Sequence, residues 1–206
     1  MKIDQVINES FINEILKHIN GIGIATYNIE CILVEGSFLY LENAYDIDLK
    51  VIVKRYNDKA EMIRSFNISN YKVDCTYYTV RDWNKVMSFK KDAQYIVESP
   101  DMVCIYGDDK SFKRFDPVND KEVQRFVLNV YDKNFFNYDK KNKDTFLMKD
   151  KRLWNFLLFA FKVKNKSNEL TDTQLELLQK AHDLELKKDD YRPLFNEIKE
   201  IVNGSR

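Results

Sequence analysis

Ile32-Leu33-Val34-Glu35-Gly36-Ser37, followed after eight residues by Asp46-Ile47-Asp48-Leu49, is the stretch that decides the fold. Its first part belongs to an apolar run, Ile29 to Val34, that reads as a buried strand and stops at Gly36-Ser37. A strand ending in Gly-Ser lets a ligand approach the backbone closely, because Gly36 has no side chain to obstruct it. Ser37 adds a hydroxyl and a backbone N–H, and both suit phosphate oxygens if a helix starts there. From Tyr45 the pattern alternates, with Asp46, Asp48 and Lys50 on one face and Ile47, Leu49, Val51 and Val53 on the other. Asp-x-Asp on a strand therefore sets two carboxylates on one face, roughly 6–7 Å apart at Cα. Like charges so close resist joint ionisation unless a cation compensates. Mg2+ (or Mn2+) is the expected cation, since it takes oxygen ligands and shares coordination with substrate phosphates.

Outward from this stretch the chain divides in character. Ile7, Phe11, Ile15 and Ile19 recur at four-residue spacing and predict a helix over residues 4–20, with Gly21 and Gly23 where a C-cap is expected. Residues 57–66 read as a short helix. Tyr71 to Val80 reads as a third strand, with Val73, Cys75 and Tyr77 on one face and Asp74, Thr76 and Tyr78 on the other. A helix over residues 81–91 and a strand from Met102 to Tyr106 follow. After Pro117, residues 120–138, 145–165, 171–187 and 190–203 all read as helices, and Thr171-Asp172-Thr173-Gln174 fits a capping box. Strands early and helices late define an α+β chain. The expected organisation is a short mixed or antiparallel β-sheet in residues 1–117 and a helical domain in residues 118–206.

Composition narrows the function class. Among 206 residues, 33 basic side chains balance 33 acidic ones, which gives no support to a general nucleic-acid binder working through phosphates. Cys31, Cys75 and Cys104 sit singly in apolar segments, without the spacing of a zinc site or a disulfide framework. They are expected to be buried thiols. His18 and His182 lie far from the motif and from each other and are assigned no role. The most apolar run, Leu153 to Val163, is too short to span a bilayer, and MKIDQVINES has no apolar stretch of the signal-peptide kind. A soluble, cytoplasmic protein with no membrane partner is expected. Lys50 reads as a surface lysine in a cross-strand ion pair. The bland alternative for the whole motif is an edge strand whose Asp46, Asp48 and Lys50 are simply solvated.

The order strand, Gly-Ser, turn, strand with Asp-x-Asp resembles the nucleotidyltransferase superfamily, which includes DNA polymerase β and the small antibiotic nucleotidyltransferases. The resemblance covers about residues 30–110 and implies a nucleotidyltransferase core with a helical domain appended. It further implies that Gly36 and Ser37 contact the triphosphate and that Asp46 and Asp48 bind two metal ions. Asp74 would complete the metal site as third carboxylate and serve as general base, with Glu35, Glu42 and Asp82 as its rivals. The implied partners are a nucleoside triphosphate and an acceptor hydroxyl on a small molecule, an RNA 3′ end or a protein. One departure is that Phe38-Leu39-Tyr40-Leu41 follows Ser37, where many members carry an Arg. That departure feeds an alternative, a non-catalytic nucleotide- or partner-binding member of the same fold.

Overall fold

The computed structural model describes residues 2–42, 44, 46–55, 65–88, 102–110, 118–119, 121, 124–125, 153–187, 194 and 197. The chain divides into two compact units, Met1–Phe89 with Asp101–Arg114, and Lys90–Pro100 with Phe115–Arg206. It is a mixed α+β protein. No helix among the described residues is long and apolar enough to cross a membrane.

The first unit opens with two helices where one is predicted, α1 (Lys2–Val6) and α2 (Glu9–Gly21). Asn8 makes the break: its backbone is extended, and its side chain accepts the Phe11 N–H at 3.0 Å. An Asn that satisfies an orphan donor of a new first turn is a better N-cap than a helix-interior residue. The far end of α2 closes as a Schellman turn, with Gly23 at φ 88°, Gly23 N–H on the Asn20 carbonyl and Ile24 N–H on the Ile19 carbonyl.

Five strands follow: β1 (Ile29–Glu35), β2 (Asp46–Val53), β3 (Ser65–Ile68), β4 (Tyr71–Thr79) and β5 (Val103–Gly107). Their order in the sheet is β3-β4-β2-β1-β5. Among the described strands only β2 and β4 run parallel, so the sheet is mixed. β2 is therefore an interior strand, and the solvated edge-strand reading of Asp46-x-Asp48 does not hold. The helix expected over residues 57–66 lies outside the described residues as far as 64. Ser65 and Phe66 belong instead to β3, which turns back through Ser69, at φ 52°, to pair with β4.

The sheet is covered differently on its two faces. On one, Phe11 of α2 meets Tyr71 edge-on at 6.4 Å, and His18 stacks on Phe66 at 4.3 Å. Val73, Cys75 and Tyr77 face the same side and are buried. The other face carries Asp48, Lys50 and Tyr78, and there α3 (Val80–Ser88) packs Trp83 against Tyr78 at 5.3 Å.

In the second unit, α4 (Leu153–Asn165) and α5 (Asp172–Lys187) are described. Leu157, Leu158 and Phe161, spaced one and four residues apart on one stripe of α4, are buried. The capping box is present: Thr171 Oγ1 accepts the Gln174 N–H at 3.3 Å, and Gln174 Oε1 accepts the Thr171 N–H at 3.0 Å. Gln174 also exchanges amide hydrogen bonds with Asn165, at 2.9 and 3.0 Å, which ties the end of α4 to the start of α5. Most of the helices expected over residues 120–138 and 190–203, and the start of the one over 145–165, lie outside the described residues.

Candidate active site

The strand pairing aligns polar residues that are far apart in sequence. Ser65 stands opposite Asp74, Asp74 opposite Asp48, and Asp48 opposite Glu35, so one row crosses four adjacent strands. Residues paired in register share a face of the sheet. Asp46, two residues from Asp48, shares it as well and stands opposite Lys72. The pleat thus places Asp46, Asp48 and Asp74 on one face, with Val73 and Cys75 on the reverse.

Gly36 ends β1 directly beside this row. Its φ of 83° and ψ of −163° lie in a region that essentially only glycine occupies. A Cβ there would also stand 2.6 Å from Asp48 Oδ2, closer than any real contact. The backbone at Gly36 and the Asp48 carboxylate therefore occupy one small space. Ser37 opens a single 3-10 turn, Ser37–Leu39, rather than a long helix, and is itself buried. No extended helix dipole stands behind it, so a phosphate there would meet individual backbone and hydroxyl groups only. Tyr45, in the segment joining the two motif halves, lies outside the described residues.

The charges in and beside the row are distributed unevenly. Lys50 is 3% exposed and holds Glu35 at 2.6 Å, with its ammonium 5.7 Å from the Tyr78 ring centre and 5.3 Å from that of Trp83. The cross-strand ion pair expected of Lys50 exists, but it is buried beneath α3 rather than set on the surface. Asp74 is paired with Lys72, 2.6 Å from Nζ to Oδ2, and accepts the Ser65 hydroxyl on Oδ1. In return Asp74 holds the Lys72 ammonium above its ordinary range, chiefly through that hydrogen bond. Asp48 receives less compensation. Burial, then the negative charges of Glu35, Asp46 and Asp74, push its carboxyl up to about 7 against the opposing pull of Lys50.

Asp82 stands apart. It lies in the first turn of α3, where Thr79 caps the helix by accepting the Asp82 N–H at 3.1 Å and in turn donates its hydroxyl to Asp82 Oδ2 at 2.7 Å. Cys75, behind the row, is pushed up to about 12, mainly by burial, and stays a thiol rather than a reactive thiolate. Glu35 is the member of the row that the alternation within β2 does not reveal. Its signal is positional: as the last residue of β1, it must pair with the start of an antiparallel β2.

Asp46, Asp48 and Asp74 offer carboxylate oxygens alone, the donors that hard divalent cations take. Burial and the neighbouring carboxylates together retain a proton on Asp48 near neutrality, and the carboxylate share of that effect also suits a cation. Yet no group of three or more His, Cys, Asp or Glu among the described residues is arranged to hold a metal ion. The donor chemistry fits a divalent ion, while Asp74 is turned toward Lys72 and Ser65. No protein-family model and no curated protein matches the chain.

Proposed function

We propose that the chain is a metal-dependent nucleotidyltransferase with a nucleotidyltransferase core and a helical C-terminal domain, moving a nucleoside monophosphate from a nucleoside triphosphate to an acceptor hydroxyl. One observation carries this reading: Asp48 and Asp74 lie in register on adjacent parallel strands, with Gly36 packed against the Asp48 carboxylate. Two strands and a glycine turn are thereby brought to one place by the pairing itself.

Asp46, Asp48 and Asp74 hold Mg2+ or Mn2+ in this reading. When bound, the metal neutralises the phosphates and polarises the reacting oxygens. Gly36, lacking a Cβ, lets the triphosphate approach the backbone, and Ser37 offers its N–H and hydroxyl. The acceptor oxygen forms a bond to the α-phosphorus as the bond from that phosphorus to the bridging oxygen breaks. Pyrophosphate leaves with the electron pair, and Asp74 takes the proton of the acceptor hydroxyl.

Labelled nucleoside triphosphates with Mg2+, incubated against RNA, protein and small hydroxylated acceptors, test the reading. Transfer by the native chain, nearly abolished in Asp46→Asn and in Asp48→Asn, is the expected result. Full transfer in either variant refutes the metal assignment. The pairing of Asp74 with Lys72 favours one second reading, a member that binds nucleotide or a partner without catalysis. Nucleotide binding with no transfer to any acceptor would select it.

A further inference from the structure

We infer that Lys72 is an internal counter-cation of the carboxylate row, released by a divalent ion to grip the nucleotide's phosphates. This deepens the nucleotidyl-transfer reading and rests on it. Among the described residues, Lys50 and Lys72 lie on the face that carries Asp46, Asp48 and Asp74, in contrasting situations. The Lys50–Glu35 pair is sealed, with the two side chains 4% and 11% exposed, and two aromatic rings flank the ammonium. The Lys72–Asp74 pair is open, with side chains 57% and 29% exposed. Lys50 is thus fixed in place, whereas Lys72 has solvent to move into.

Register places Lys72 opposite Asp46, and its ammonium lies 2.6 Å from Asp74 Oδ2. It therefore neutralises one proposed metal ligand while standing beside another. An exposed ion pair of this kind contributes little, so a divalent ion competing for the same carboxylate displaces it readily. A lysine carries a compact charge on a flexible four-carbon stem, which suits it to follow a phosphate rather than a fixed carboxylate. Phe38, the residue after Ser37, is 1% exposed and offers no cation at the turn. Asp74 would then have a cation beside it in both states, Lys72 without metal and the ion with it. Lys72 would couple the arrival of the ion to the grip on phosphate.

The test measures Mn2+ binding by electron paramagnetic resonance, then binding of ATP, GTP, CTP and UTP at saturating Mn2+. It compares the native chain with Lys72→Gln and Lys72→Arg. Removing the internal competitor should make Lys72→Gln bind Mn2+ several-fold more tightly. Losing a charged phosphate contact should make it bind the preferred nucleotide at least about tenfold more weakly. Lys72→Arg, which keeps the charge, should stay close to native in both. Opposite shifts in the two affinities are not what a purely structural role produces. Nucleotide affinity unchanged in Lys72→Gln, or Mn2+ affinity reduced, overturns the role of Lys72 and leaves nucleotidyl transfer standing. A native chain that binds neither Mn2+ nor nucleotide overturns both.

Discussion

Gly36 and Asp48 are sterically interlocked: a Cβ on the glycine would stand 2.6 Å from Oδ2 of the aspartate. The end of β1 and the start of β2 are thus fitted to each other at the point where the carboxylate row begins. Gly36→Ala should cost about 1–3 kcal/mol from its backbone conformation alone, and more from the displaced carboxylate. The clash should be absent in an Asp48→Ala background. A double-mutant cycle by urea unfolding should therefore give a coupling of about 0.5–3 kcal/mol between the two sites. Strict additivity would mean that the carboxylate does not rest against Gly36.

The Asp48 carboxyl sets a pH dependence on the metal-free chain. Its folded value, about 7, lies above the ordinary value of 3.8, so the folded state binds the proton more tightly. Stability contributed by this group is whole below about pH 4 and declines as pH rises toward 7, by at most a few kcal/mol at about 1.4 per pH unit. Melting in EDTA at pH 5 and pH 8 should show native protein weakening across that range, with Asp48→Asn losing less. Mg2+ at pH 8 should raise the native melting temperature and leave Asp48→Asn nearly unchanged. A native chain that gains stability from pH 5 to 8 as strongly as the variant does would contradict the placement of Asp48 among Glu35, Asp46 and Asp74.

Lys50 and Glu35 form a pair that stands or falls together. Removing one partner leaves a charge in a buried setting, so Lys50→Met should cost about 3–5 kcal/mol. The double variant Lys50→Met with Glu35→Gln should recover much of that loss, since no uncompensated charge remains. Chemical denaturation of the two variants beside the native chain measures it. A Lys50→Met chain within 1 kcal/mol of native, roughly the worth of a surface pair, would mean that the lysine is solvated after all.

The second unit offers a local check. Thr171→Ala removes the side-chain acceptor of the box that starts α5 and should cost about 1 kcal/mol. Gln174→Ala should cost more, because Gln174 is buried and also bonds Asn165. Equal losses in the two variants, by thermal melting, would deny Gln174 its second role.

Local chemistry explains which features were legible in the sequence. Polar and apolar residues alternate from Asp46 to Val51 and the two sides of Tyr71 to Thr79 differ, so the faces of β2 and β4 follow from the pleat, and Asp74 falls on the face of Asp48. Thr171 and Gln174 announce a helix start in four residues. The break at Asn8 is masked because Ile7 and Phe11 keep helical spacing across it. Lys50 reads as a surface residue because its burial depends on Trp83, thirty-three residues away and on a helix packed from above. The Lys72–Asp74 pair escapes notice for a similar reason. Both residues lie on the polar face, and only side-chain conformation shows that one holds the other. Ser65 joins the row through β3, whose first two residues fall at the end of the helix expected over residues 57–66.

Calorimetric titration of nucleoside triphosphates into the chain bears most directly on the carboxylate row as a metal and nucleotide site. It should be run with Mg2+, with EDTA, and on the Asp46→Asn, Asp48→Asn double variant. The native chain should bind at least one triphosphate in Mg2+ and none in EDTA, and the double variant should bind none in either. No binding by the native chain in Mg2+, or equal binding by native and double variant, would contradict the site.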